Sequence, residues 1–181
     1  MKIDENWLVK NNACNDWIKW FSSQKETDAV AVVRSLLREK KLDWANSIIV
    51  RILDRKHKIK YAVFSAEQVI HIFEKEHPDD ERPRDAIRAV LAVVENYTKE
   101  DKVEAIDSAL AASWAADSSD GAAAWAAVSA SRAAESALFG EESSYRSAMA
   151  SESSAKAASW AYGPSMKKII EYGISLLEKN P

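Results

Sequence analysis

The chain has 181 residues, enough for one domain with a real core, and its 47% hydrophobic and 29% charged content is globular rather than disordered. A net charge of −3 argues against a general nucleic-acid binder, and the lone Cys14 excludes an internal disulfide, as suits a reducing cytoplasm. "MKIDENWLVK" carries no apolar signal core and no apolar run reaches bilayer length, so a cytoplasmic protein without a membrane span is expected.

Apolar residues recur at spacings of three and four, with no sustained alternation, and only four Gly and four Pro interrupt them. The spacing predicts eight or nine helices, over 5–22, 27–40, 42–54, 56–76, 83–97, 99–117, 120–138, 141–161 and 165–179. The expected class is all-α: one domain over 1–181, with a mixed-composition half (1–98) and an alanine- and serine-rich half (99–181). In the first predicted helix Cys14, Trp17 and Phe21 fall on one side, which makes the cysteine a buried small hydrophobe rather than a nucleophile. The basic run "RILDRKHKIK" (51–60) reads as a solvated loop, since no aromatics interleave its charges. Arg51 stands apart because it shares a stripe with Trp44 and Ile48. An arginine there needs a buried acid, and Glu67 and Asp85 are the candidates.

Further along, Glu67, His71 and Glu74 could share a helical face, but no second cluster completes a metal site, and the bland reading is a solvated face. In "HPDDERPRDAI" (77–87), Pro83 suits a first helical turn and the alternating charges of "DDERPR" suit a structured, internally paired turn. "DSSDG" (117–121) separates two alanine runs. Gly140 and "YGP" (162–164) mark further helix ends.

The alanine runs are the oddest feature. Alanine and serine exceed half of residues 105–161, and a low-complexity spacer would look similar. The interspersed Trp114, Trp125, Tyr145 and Trp160 favour a packed segment instead. Small side chains allow helix axes to approach more closely than the usual 8–10 Å or so. Three closely stacked helices are expected, with each tryptophan ring filling the gap left by small neighbours. No Walker, GxGxxG, GxSxG or CxxC motif occurs, so no catalytic residue, metal ligand or cofactor is assigned.

One resemblance rests on ordered blocks. "NNACNDWIKWF", "LDWANSIIVRIL", "KIKYAVFSAEQ", "PDDERPRDAI" and the alanine-rich tail with Trp and Tyr follow one another over roughly residues 11–162. In this the chain resembles the putative immunity protein family of bacteria and their phages, although its tail uses more serine than the tyrosine and aspartate typical there. The resemblance implies a small helical cytoplasmic protein that neutralises a protein partner, a toxin or a bacterial defence component, and it brings no catalytic residue. The resulting expectation is a non-enzymatic protein that binds and blocks a macromolecule, as an immunity protein or phage anti-defence inhibitor. The alternative is a small-ligand or nucleotide-sequestering protein with a polar interhelical pocket. Candidate binding residues are Arg51, Glu67, Asp80, Arg82 and Arg84. Membrane and nucleic-acid partners are not expected, and a homo-oligomer is left open.

Overall fold

The computed structural model describes residues 1–95, 99–138, 144–161 and 166–179. Eleven helices follow in chain order among these residues: α1 (Glu5–Lys10), α2 (Asn15–Ser22), α3 (Ala29–Arg38), α4 (Leu42–Ile52), α5 (Arg55–Glu67), α6 (Ile70–Glu76), α7 (Arg82–Glu95), α8 (Lys99–Asp117), α9 (Gly121–Leu138), α10 (Ser144–Trp160) and α11 (Met166–Lys179). No strand occurs among the described residues, only an isolated bridge between Lys2 and Asp28. Among the described residues each predicted helical stretch contains helix, and the class is all-α. Asp4, Asp28 and Asp54 open α1, α3 and α5 by accepting from backbone N–H groups of the first turn. Gly121 opens α9 with φ +53°, a conformation that glycine adopts without strain. The ends expected at Gly140 and at "YGP" lie outside the described residues.

Two predicted helices are each broken in two. Between α1 and α2, Asn12 takes the left-handed conformation (φ 58°), Ala13 N–H donates to the Leu8 carbonyl, and Asn12 N–H donates to that of Val9. This is a Schellman ending built without glycine. Cys14 consequently precedes α2 and is exposed, not buried as the continuous helix implied. Between α5 and α6, Val69 opens to φ −125° and turns α6 onto α9.

Two layers share one buried cluster running from Ile3 to Leu177. In the first, α3 and α4 pack on each other and on α11, and α1 packs on α2, with large aliphatic side chains such as Leu8, Leu36, Ile48, Ile49 and Ile170 all fully buried. Gly173 lets α11 seat closely, because a Cβ there would lie 2.7 Å from the Tyr61 ring and 2.8 Å from Ile49. In the second layer α9 is the axis, packed against α5, α6, α7, α8 and α10.

A helix surrounded by five others has little room for side chains. Ala123, Ala126, Ala127, Ala130, Ala133 and Ala134 of α9 are fully buried, as are Ala105 and Ala112 of α8 and Ala155 and Ala158 of α10. The serines record how close the backbones come. Ser131 Oγ donates to the Ala109 carbonyl of α8 at 3.0 Å, and Ser129 Oγ to the Ser154 carbonyl of α10 at 3.0 Å. Ser154 Oγ in turn reaches the carbonyls of Ala62 and Ser129, both at 3.0 Å. A serine hydroxyl sits one bond beyond Cβ, so it reaches a neighbouring helix's backbone only when small residues separate the two. The buried hydroxyls are thereby satisfied.

The tryptophans do not fill these gaps. Trp114, Trp125 and Trp160 are 62%, 39% and 56% exposed. The expectation that their rings pin the layer from within is overturned, because axes this close leave no interior volume for an indole.

Candidate functional site

The five residues singled out by sequence are placed in three separate settings. Arg51, on α4, does not pair with Glu67 or Asp85. Its guanidinium lies 3.0 Å from Glu152 Oε2 of α10, and the two side chains are only 11% and 12% exposed. Arg51 also donates to the Ser47 carbonyl at 2.9 Å, while Glu152 receives Lys156 at 3.2 Å and Ser47 Oγ at 3.4 Å. Nearby, Tyr61 OH donates to Asn46 Oδ1, and Asn46 Nδ2 donates to the Glu152 carbonyl. This polar seam joins the two layers, and burial pushes the Tyr61 hydroxyl well above its ordinary pKa. The basic run spans the end of α4 and the start of α5 rather than forming a solvated loop, with Lys56 exposed and others of its charges turned inward. Arg55 reaches the Ala137 carbonyl, and Lys58 is buried, which pulls its pKa down.

Asp80 and Arg82 form a two-bonded pair within their own turn, at 2.9 and 2.6 Å. Arg84 instead reaches Glu74 of α6 at 2.7 Å, and Arg88 takes Glu81 and Asp85. These hydrogen bonds from Arg82 and Arg84 hold the Asp80 and Glu74 carboxyls below the usual carboxylate range. Glu67 is exposed at the end of α5, and the break after it separates it from the helix carrying His71 and Glu74. Among the described residues no group of three metal-ligating side chains comes together.

The surface outside the alanine layer is the unusual one. Helix α8 turns its alanines, including Ala105, Ala109 and Ala112, to the interior and leaves Val103, Ile106, Leu110 and Trp114 exposed at spacings of three, four and four. On α9 and α10, Trp125 and Trp160 meet edge to face with centroids 4.6 Å apart, beside a groove of about 190 Å³ that also involves Val128, Arg132 and Lys156. Met149 is exposed on the same α10. Seven of the ten large apolar side chains exposed among the described residues therefore lie on α8–α10. Sequence reasoning missed this surface by assigning the tryptophans to the core and by making no assignment for Val103, Ile106 and Leu110. The signal was present in α8, where the alanines and the large residues occupy different faces.

Helices α5 to α9, with the turn before α7 and the apolar ridge of α8, fall in one stretch of chain. Residues 49–143 match the family described as Imm-5 like putative immunity protein, over more than half of the sequence. The chain belongs to this family. The matched stretch includes Arg51 and the "DDERPR" turn, and it takes in Trp114 and Trp125 but not Trp160. No curated protein and no solved structure matches the chain. No described helix of this immunity-family protein is long and apolar enough to cross a membrane.

Proposed function

We propose that this protein is a non-enzymatic blocker, an immunity protein or phage anti-defence inhibitor, that covers its partner with the outer face of the alanine-rich layer. One observation carries the reading: large apolar side chains stand in solvent on helices whose buried faces are alanine. Burying a Val, Leu or Ile side chain is worth about 1.5–3 kcal/mol, so a chain folding only for itself would turn Val103, Ile106 and Leu110 inward. Contiguous exposed apolar surface of this kind belongs to interaction sites. Family membership supports the same reading.

The blocking is steric. Serine-to-carbonyl bonds and close helix contacts make the layer stiff, so little order is lost when a partner docks. In this reading Arg51, Asp80, Arg82 and Arg84 hold the platform through their ion pairs, and they act on the partner only through its shape. Small-ligand capture is favoured by one feature, the groove beside Trp125 and Trp160 with Arg132 and Lys156 at its edge.

Photo-crosslinking in cells decides between them, with a crosslinking amino acid placed at 114, at 125, or at Leu37 on the far α3 side. The expected result is one protein partner joined at 114 or 125 and not at 37. A partner joined at 37 alone, or a co-purifying small molecule with no protein partner, contradicts the proposal.

A further inference from the structure

The ridge on α8 is bordered by acids. Glu104, Asp107, Asp117 and, just beyond the helix, Asp120 are all exposed. None of the four has an ion pair among the described residues. Elsewhere several charges are matched: Arg34 with Glu178, Arg84 with Glu74, Arg88 with Glu81 and Asp85, Arg132 with Glu135. Other exposed acids without an ion pair among the described residues, such as Asp16, Asp43 and Glu76, stand on other helices away from this ridge. The only basic residues of α8, Lys99 and Lys102, lie in its first turn, away from Leu110, Trp114 and Asp117.

Resting on the blocking proposal, we infer that the α8 face docks a protein whose surface has a basic rim around an apolar cleft. The ridge of Val103, Ile106, Leu110 and Trp114 enters the cleft, and Glu104, Asp107, Asp117 and Asp120 meet the rim. Charge eliminates the other occupants of an apolar helix face. A second copy of this chain, pairing α8 with α8, would set these acids against their own counterparts, which is repulsive. Nucleic acid and anionic lipid surfaces carry the same sign as the acids. A basic protein surface satisfies both the apolar and the acidic part of the face, and its approach is accelerated by the opposite charge.

The test uses two short amphipathic helical peptides as probes, one of leucine and lysine and one of leucine and glutamate. Each is titrated by fluorescence anisotropy against the full chain at low and high salt. The leucine–lysine peptide should bind, the leucine–glutamate peptide should not, and salt should weaken the complex. Affinity should fall about tenfold or more in Trp114→Ala, and in Glu104→Lys/Asp107→Lys/Asp117→Lys. The charge-reversed protein, with its helical circular dichroism retained, should take the leucine–glutamate peptide instead. Lys167→Glu/Lys168→Glu on α11 serves as a distant control and should change nothing. Should the triple variant fail to fold, Leu110→Ser, at an exposed position, replaces it with the same expected loss. Equal binding of both peptides, or insensitivity to changes at 104–117, overturns the inference, as does self-association abolished by Leu110→Arg. A natural partner that crosslinks at 114 yet presents an acidic surface would overturn this inference and leave the blocking proposal standing.

Discussion

The two layers use the same residue in opposite ways. In the first, Trp17 is 4% exposed and stacks on Trp44 at 6.0 Å, while Trp20 is held by Glu39 and has Lys41 over its ring. In the second, Trp114, Trp125 and Trp160 face out and alanine fills the interior. What differs is the distance at which the helices pack. Leucines and isoleucines hold the helices of the first layer apart and leave spaces that an indole can fill. Alanine and serine bring α8 and α10 against α9 until hydroxyls touch backbone, and only the outside has room for a ring. The position of a large side chain is thus decided by its neighbours' size as much as by its own hydrophobicity.

Substitutions can break or sharpen this contrast. The largest effect should come from emptying the first layer: Leu36→Ala, at a fully buried position, should cost about 2–5 kcal/mol in denaturant melts. The second layer should fail in the reverse direction, by filling. Ala126→Leu should overpack α9 and cost about 1–3 kcal/mol, though leucine is nearly as good a helix former. A neutral Ala126→Leu would mean that the alanine helices are not closely packed.

Smaller effects lie on the surface of both layers. At the end of α3, Lys40 is left-handed (φ 60°), with Lys41 N–H donating to the Leu36 carbonyl and Lys40 N–H to that of Leu37. Lys40→Gly should therefore stabilise by up to about 1 kcal/mol, seen as a raised melting midpoint. Trp114→Ala should change stability by no more than about 0.5 kcal/mol, although it removes the largest side chain of α8. The smallest effect concerns the turn before α7. The Asp80 and Glu74 carboxyls titrate below their ordinary values, so their pairs stabilise the fold above an ordinary carboxylate pKa of about 4. That contribution is lost as pH falls through the lowered folded values. Arg84→Ala should reduce the acid dependence of the melting midpoint below pH of about 4 without altering it near neutrality by more than a solvent-screened pair allows.

The sequence was legible where one signal suffices. Helices α8 and α9 were located to within a residue because "DSSDG" lies between two alanine runs. The breaks at Asn12 and Val69 were not, since neither glycine nor proline marks them and the apolar spacing continues across. Arg51 was identified as needing a buried acid, but its partner Glu152 lies 101 residues away on α10, where only the packing of α4 on α10 brings them together. The small residues of 105–161 did announce close helix approach. Which face of α8 would turn inward depended on α9 lying against it, a tertiary fact that helical periodicity does not contain.

The central claim, that the second layer buries its alanines and displays its tryptophans, can be read on the unaltered protein in one experiment. Hydroxyl-radical footprinting with mass spectrometry reports the solvent access of each tryptophan separately. The predicted order of labelling is Trp114 and Trp160 first, Trp125 next, and Trp17 protected, following exposures of 62%, 56%, 39% and 4%. Protection of Trp114 and Trp160 to the level of Trp17 would place these rings in the core and contradict the account.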